Sequence, residues 1–109
     1  MNVIGDVKGK ECILFDDMVD TAGSLCNAAK AIVERGATKV YACASHGVLS
    51  GPAIERIENS VIEEMVFLNT IPSTEESRAC KKIKYLDVAP LFAEAIQRTY
   101  DEVSLSPMF

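Results

Sequence analysis

Asp16 and Asp17, then Asp20 and the small-residue run Thr21, Ala22, Gly23 and Ser24, are the residues of this chain whose types and spacing best suit chemistry. Small residues let backbone N–H groups converge on an anion, and a turn that opens a helix adds the partial positive charge of the helix N-terminus. A phosphate fits such a turn, but bare carboxylates beside it repel one. The pair therefore asks for a ligand that also carries hydroxyls, a bound cation, or both, and a sugar phosphate meets that demand. Neighbouring strand residues point to opposite faces. One carboxylate can then accept hydrogen bonds from ribose hydroxyls while the other orients the loop or a water shell around Mg²⁺, and the two roles are exchangeable. Against this stands a plainer reading, in which an acid pair after a strand is only a turn, and Asp20 serves equally well as a helix cap or as a ligand contact.

The elements around these residues must position them. Ile13, Leu14 and Phe15 have no polar residue between them, which suits a strand covered on both faces of a mostly parallel sheet. In such sheets ligands bind past the carboxyl ends of the strands, where the acid pair falls. Strands are expected at 11–16, 39–44, 65–68 and 82–87, with helices between them in the βαβ manner. The first helix, about 24–35, should bury Leu25, Ala28, Ala29, Ile32 and Val33, and Gly36 should end it. Ser50 or Gly51 caps a second helix with Pro52 in its first turn and Ile54, Ile57 and Val61 inward. Residues 74–77 read as a polar loop or short turn. A last helix opens at Pro90, turning Leu91, Phe92, Ala95, Ile96 and Tyr100 inward and pairing Glu94 with Arg98 outside. His46, the sole histidine, lies at a strand's carboxyl end and reads as a loop hydrogen-bonder before a catalytic group. Gly47 and Gly51 read as backbone devices, and Glu63 and Glu64 as a solvated face.

A chain of 109 residues is one domain's worth, and it carries no repeat, low-complexity tract or linker. Its net charge of −5 argues against nucleic acid as a partner, yet does not bar a phosphate that is met by local backbone dipoles. No apolar run reaches membrane length and no charged-then-apolar leader follows Met1, so neither a membrane span nor secretion is expected and the protein is read as cytoplasmic. Cys12, Cys26, Cys43 and Cys80 lack metal-ligand spacing and read as reduced, packed thiols.

The motif DDMVDTAGS resembles the phosphoribosyl-diphosphate loop shared by type I phosphoribosyltransferases and ribose-phosphate diphosphokinases. With SHGVLSGPAI, NTIP and a terminal SLSPMF following in order, all 109 residues resemble the C-terminal part of the ribose-phosphate diphosphokinase family. One departure is Ala22, Gly23, Ser24, where the family has Gly or Cys, then Gly and Thr. Ser keeps the hydroxyl and Ala the small size. The resemblance implies a three-layer αβα fold with a mostly parallel sheet, incomplete at its N-terminal side. It implies transfer of the β,γ-diphosphate of ATP to ribose 5-phosphate with Mg²⁺, giving phosphoribosyl diphosphate for nucleotide biosynthesis. Ribose 5-phosphate would sit on Asp16, Asp17, Asp20, Thr21, Ala22, Gly23 and Ser24, with Asp16 and Asp17 as water-mediated metal partners. Residues 104–109 would form a regulatory tail in which Ser104, Ser106 and Phe109 meet a nucleotide such as ADP. The family's hexamers imply a homo-oligomer. Most of the ATP site and the cationic clamp on the diphosphate would lie outside this chain, so it reads as a fragment without turnover of its own. Unpaired strand edges should then favour self-association. Two other readings are a type I nucleobase phosphoribosyltransferase, for which a base-specificity hood is lacking, and a non-catalytic module such as a regulatory homologue or, less well matched, a phospho-receiver domain.

Overall fold

A computed structural model describes residues 5–108. The elements alternate: β1 (Glu11–Val19), α1 (Gly23–Glu34), β2 (Lys39–Gly47), α2 (Ala53–Glu58), β3 (Ile62–Leu68), α3 (Glu75–Ala79), β4 (Ile83–Leu86) and α4 (Ala89–Tyr100), with a short 3-10 turn at Ser106–Met108. The four strands form one sheet in the order β1-β2-β3-β4, every neighbouring pair parallel. The α/β class with a parallel sheet expected from the pattern is what the chain adopts.

Strand order explains the layering. Parallel crossovers are right-handed, so a sheet that grows in one direction carries all its crossover helices on one face. The register places Cys12, Leu14, Val40, Ala42, Ala44, Met65, Phe67, Ile83 and Tyr85 in rows on that face. They form one core with Leu25, Ala29 and Ile32 of α1 and Ile54 and Ile57 of α2. The other face holds Ile13, Phe15, Tyr41, Cys43, Val66, Leu68 and Leu86. Ile13, Leu86 and above all Phe15, at 79% exposure, stand in solvent. The expectation that the first strand is covered on both faces therefore does not hold within the described residues. The run Ile13, Leu14, Phe15 is a two-sided apolar strand with one side dressed.

The last helix departs in the same direction. Leu91, Phe92, Ala95, Ile96 and Tyr100 were expected inward, yet α4 buries no residue, and Ile96 and Tyr100 are 70% and 83% exposed. Asp87 and Asn69 tie down its start: Val88 N–H donates to Asn69 Oδ1 at 2.8 Å and Ala89 N–H to Asp87 Oδ1 at 2.9 Å. The radius of gyration is 16.4 Å, against about 13 Å for a compact domain of this length. A projecting helix accounts for such an excess.

Smaller differences have local causes. β3 begins three residues earlier than expected because Ile62 and Met65, both fully buried, are three apart, which strict alternation forbids. A register shift opposite Val40 and Tyr41 absorbs the extra residue and lets both point inward. Residues 74–77 are more than a loop. Thr74 Oγ1 accepts from Ser77 N–H while Thr74 N–H donates to Ser77 Oγ, a capping box that starts α3. α2 ends at Glu58, so Val61 lies beyond it and is exposed. Gly36 closes α1 at φ +101°, as the sequence led one to expect.

Candidate functional site

β1 and β2 run past the expected strand ends, pairing Asp16 with Ala44, Met18 with His46 and Val19 with Gly47. Aspartate is a poor strand former, but pairing to a neighbouring strand overrides that preference here. Alternation then separates the two carboxylates. Asp16 lines a cleft of about 220 Å³ together with Met18, Val19, Asp20, Thr21, Ala22, Gly23, Ser24 and Leu25. Of the seven residues singled out in the sequence, six meet at this cleft, and Asp17 does not line it. Asp17 N–H donates to Asp16 Oδ1 at 2.8 Å. The Asp17 carboxyl is held below its ordinary range by hydrogen bonding with Asp16 first, then by the backbone N–H groups of Met18 and Asp17, with His46 adding a weak attraction.

At the cleft floor the chain turns from strand to helix through Ala22, which is buried and left-handed at φ 65°. A non-glycine residue held there costs roughly 1–2 kcal/mol. No side chain caps α1, and the first intrahelical bond runs from Cys26 N–H to Ala22 O at 3.0 Å. The amides of residues 22–25 thus precede the helix ladder and stay available to an acceptor. Asp20 is not the cap.

The carbonyls before the turn are all engaged. Val48 N–H and Leu49 N–H donate to Val19 O at 3.0 and 3.2 Å, Ser50 N–H donates to Asp20 O at 2.8 Å, and Arg56 Nη1 donates to Thr21 O at 3.1 Å. Leu49 is itself left-handed at φ 56°. Two of the three left-handed non-glycine residues among the described residues thus belong to the two segments joined here, and backbone strain of that kind gathers at functional sites. Sequence reasoning missed both Leu49, whose identity carries no such signal, and Arg56, which reads as one exposed cation of an amphipathic helix.

Gly23 has no left-handed φ. A Cβ there would lie 3.1 Å from Arg56 Nη1, so glycine admits the guanidinium rather than freeing the backbone. Gly47 likewise admits the Phe67 ring, 3.0 Å from where a Cβ would be, whereas Gly51 is left-handed at φ +56°. His46 Nδ1 lies 2.6 Å from Thr70 Oγ1, whose hydroxyl donates to Ser45 O at 2.9 Å. That hydroxyl has one proton, already given to Ser45 O, so it accepts from His46 Nδ1–H.

The donor set suits magnesium in part. Magnesium takes one or two carboxylates and completes its shell with water and substrate phosphates. Exposed Asp16 and Asp17 could supply those carboxylates, and the described residues hold no cluster of three or more acidic, histidine or cysteine ligands. Ser104 and Ser106 lie in the exposed tail after α4, where Ser106 N–H donates to Ser104 Oγ at 3.1 Å and Arg98 Nη1 to Ser104 O at 2.9 Å. Phe109 lies outside the described residues. No helix among the described residues is long and apolar enough to cross a membrane.

Known proteins share this chain's sequence and fold. The chain is 60% identical over all its 109 residues to a ribose-phosphate pyrophosphokinase of Clostridium tetani and 61% identical to that of Clostridium acetobutylicum, covering 34% of each. It thus spans about a third of the length of these curated relatives. A crystal structure of phosphoribosylpyrophosphate synthetase from Mycobacterium smegmatis superposes with a TM-score of 0.87 at 41% identity, over 91% of this chain and 33% of that one. The profile of the phosphoribosyl synthetase-associated domain matches residues 1–109, and the chain belongs to that family.

Proposed function

We propose that this chain is the ribose 5-phosphate-binding part of a ribose-phosphate diphosphokinase, the enzyme that moves the β,γ-diphosphate of ATP onto the anomeric hydroxyl of the sugar. The observation that carries this reading is the uncapped N-terminus of α1 behind left-handed Ala22, opening on a cleft that Asp16 and Asp20 also line. The sugar's phosphate seats on the amides of residues 22–24 and the hydroxyls of Thr21 and Ser24, where the helix dipole favours a dianion. Asp16 and Asp20 accept hydrogen bonds from ribose hydroxyls, so the carboxylates select a sugar phosphate over inorganic phosphate. Asp17, whose N–H fixes Asp16 Oδ1, orients the strand end and would meet Mg²⁺ through water, the metal when bound neutralising charge on the transferring diphosphate. The rest of the reaction is positioning.

No lysine or arginine lines the cleft. Removing a single electrostatic donor typically costs about 10² to 10³ in rate, so the chain alone should form no phosphoribosyl diphosphate from ATP and ribose 5-phosphate. In this reading the chain is a partial phosphoribosyltransferase-like domain of a cytoplasmic homo-oligomer, and residues 104–109 are a regulatory tail where Ser104, Ser106 and Phe109 meet ADP. Titration of ribose 5-phosphate into ¹⁵N-labelled chain tests the site. The amides of residues 21–24 should shift first and furthest; shifts confined elsewhere, or none, would reject it.

A further inference from the structure

Three consecutive carbonyls lead into the turn, and they are not held alike. Val19 O and Asp20 O accept from backbone N–H groups of residues 48–50, but Thr21 O accepts from a side chain, Arg56 Nη1 at 3.1 Å. Among the described residues no other side chain donates to a carbonyl of residues 19–24. The same nitrogen fills the space that a Cβ at Gly23 would enter. Arg56 reaches the turn from the groove between α1 and α2, which it lines with Gly23, Asn27 and Lys30, and it is absent from the lining of the cleft beside Asp16. It therefore stands behind the loop, not in it.

We propose that Arg56 is the positioning residue of the loop at 20–24. Its guanidinium holds the Thr21 carbonyl back, keeps Ala22 left-handed, and so turns the amides of residues 22–24 to the cleft; Gly23 is glycine because Arg56 lies against it. The role rests on reading these residues as a phosphate loop, but its structural half is testable without a ligand. An arginine suits it because one nitrogen can bond the carbonyl while the flat guanidinium lies along the glycine. Its positive charge behind the amides also favours an anion in front of them.

The test compares Arg56→Ala, Arg56→Lys and Lys30→Ala, the last changing a cation of the same groove that makes no bond to the loop. Amide shifts and hydrogen exchange of ¹⁵N-labelled chain are recorded, followed by titration with ribose 5-phosphate. Arg56→Ala should move the amides of residues 20–24, speed their exchange, and weaken ribose 5-phosphate by about tenfold, the order expected for one charge-assisted hydrogen bond. Arg56→Lys keeps the charge and one donor and should recover part of each change, which general damage to the fold would not allow. Lys30→Ala should change neither. Loop amides of Arg56→Ala that coincide with the parent's would overturn the proposal, as would a displaced loop that binds ribose 5-phosphate with parental affinity. A parent that takes up no ribose 5-phosphate, with loop amides that still respond to Arg56→Ala, would overturn the functional reading and uphold the positioning role.

Discussion

α1 and α4 are helices of equal length, twelve residues each, with the same kind of amphipathic face, and they meet opposite fates. α1 lays Leu25, Ala29 and Ile32 into the core, while α4 presents Leu91, Phe92, Ile96 and Tyr100 to solvent. Periodicity tells which face of a helix is apolar. It does not tell whether this chain contains the surface that would cover it. The sheet repeats the contrast: the rows beneath α1 and α2 are dry, and the row with Ile13 and Phe15 is bare. A bare sheet face and a bare helix face in one chain are consistent with a polypeptide that spans about a third of its relatives' length.

The sharpest way to break that contrast is to remove the same side chain from both regions. Phe67 is fully buried and Phe92 is 54% exposed. Phe67→Ala should cost about 3–5 kcal/mol. Phe92→Ala should stay within about 0.5 kcal/mol. Urea midpoints of the two variants check this, and a loss at Phe92 as large as that at Phe67 would mean that α4 docks in solution.

A smaller effect is expected where β2 leaves the core. Gly47→Ala would place a Cβ 3.0 Å from Cγ and Cδ1 of Phe67 and should cost about 1–3 kcal/mol through overpacking. The double variant Gly47→Ala, Phe67→Leu should recover part of it. Additive losses in that cycle would show that Phe67 is not what Gly47 accommodates.

The smallest effect is the one acid should produce at α4. The Asp87 carboxyl is held below its ordinary value of 3.8, first by Ala89 N–H and then by the Asn69 side chain. A carboxylate with a depressed folded pKa adds stability that is present above 3.8 and lost as pH falls through its folded value. Below pH 3.8 the start of α4 should therefore loosen while the core under α1 persists. Amide exchange at residues 88–92 followed down to that range would detect it; unchanged protection there, or simultaneous loss in α1, would contradict it.

These contrasts mark what the sequence made legible. The βαβ alternation, the α1 face and its Gly36 stop, and the cluster at residues 16–24 could all be read from periodicity and residue type, because each is local. What was not legible depends on partners distant in the chain. Asp16 and Asp17 belong to a strand because β2 pairs with them, Ile62 and Met65 are both buried because β3 is bulged, and Gly23 answers to Arg56 across two elements. The left-handed turn at Ala22 and Leu49 also escaped, since neither residue type announces it.

The central claim is that ribose 5-phosphate is held at the junction of β1 and α1, and calorimetric titration of three proteins tests it most directly. The parent chain and Lys39→Ala, which alters an exposed cation at the opposite end of β2, should bind ribose 5-phosphate equally. Gly23→Val should drive its side chain into Arg56, displace the loop, and weaken binding by at least about tenfold, the worth of one lost charge-assisted hydrogen bond. Equal affinity of all three proteins would contradict the account.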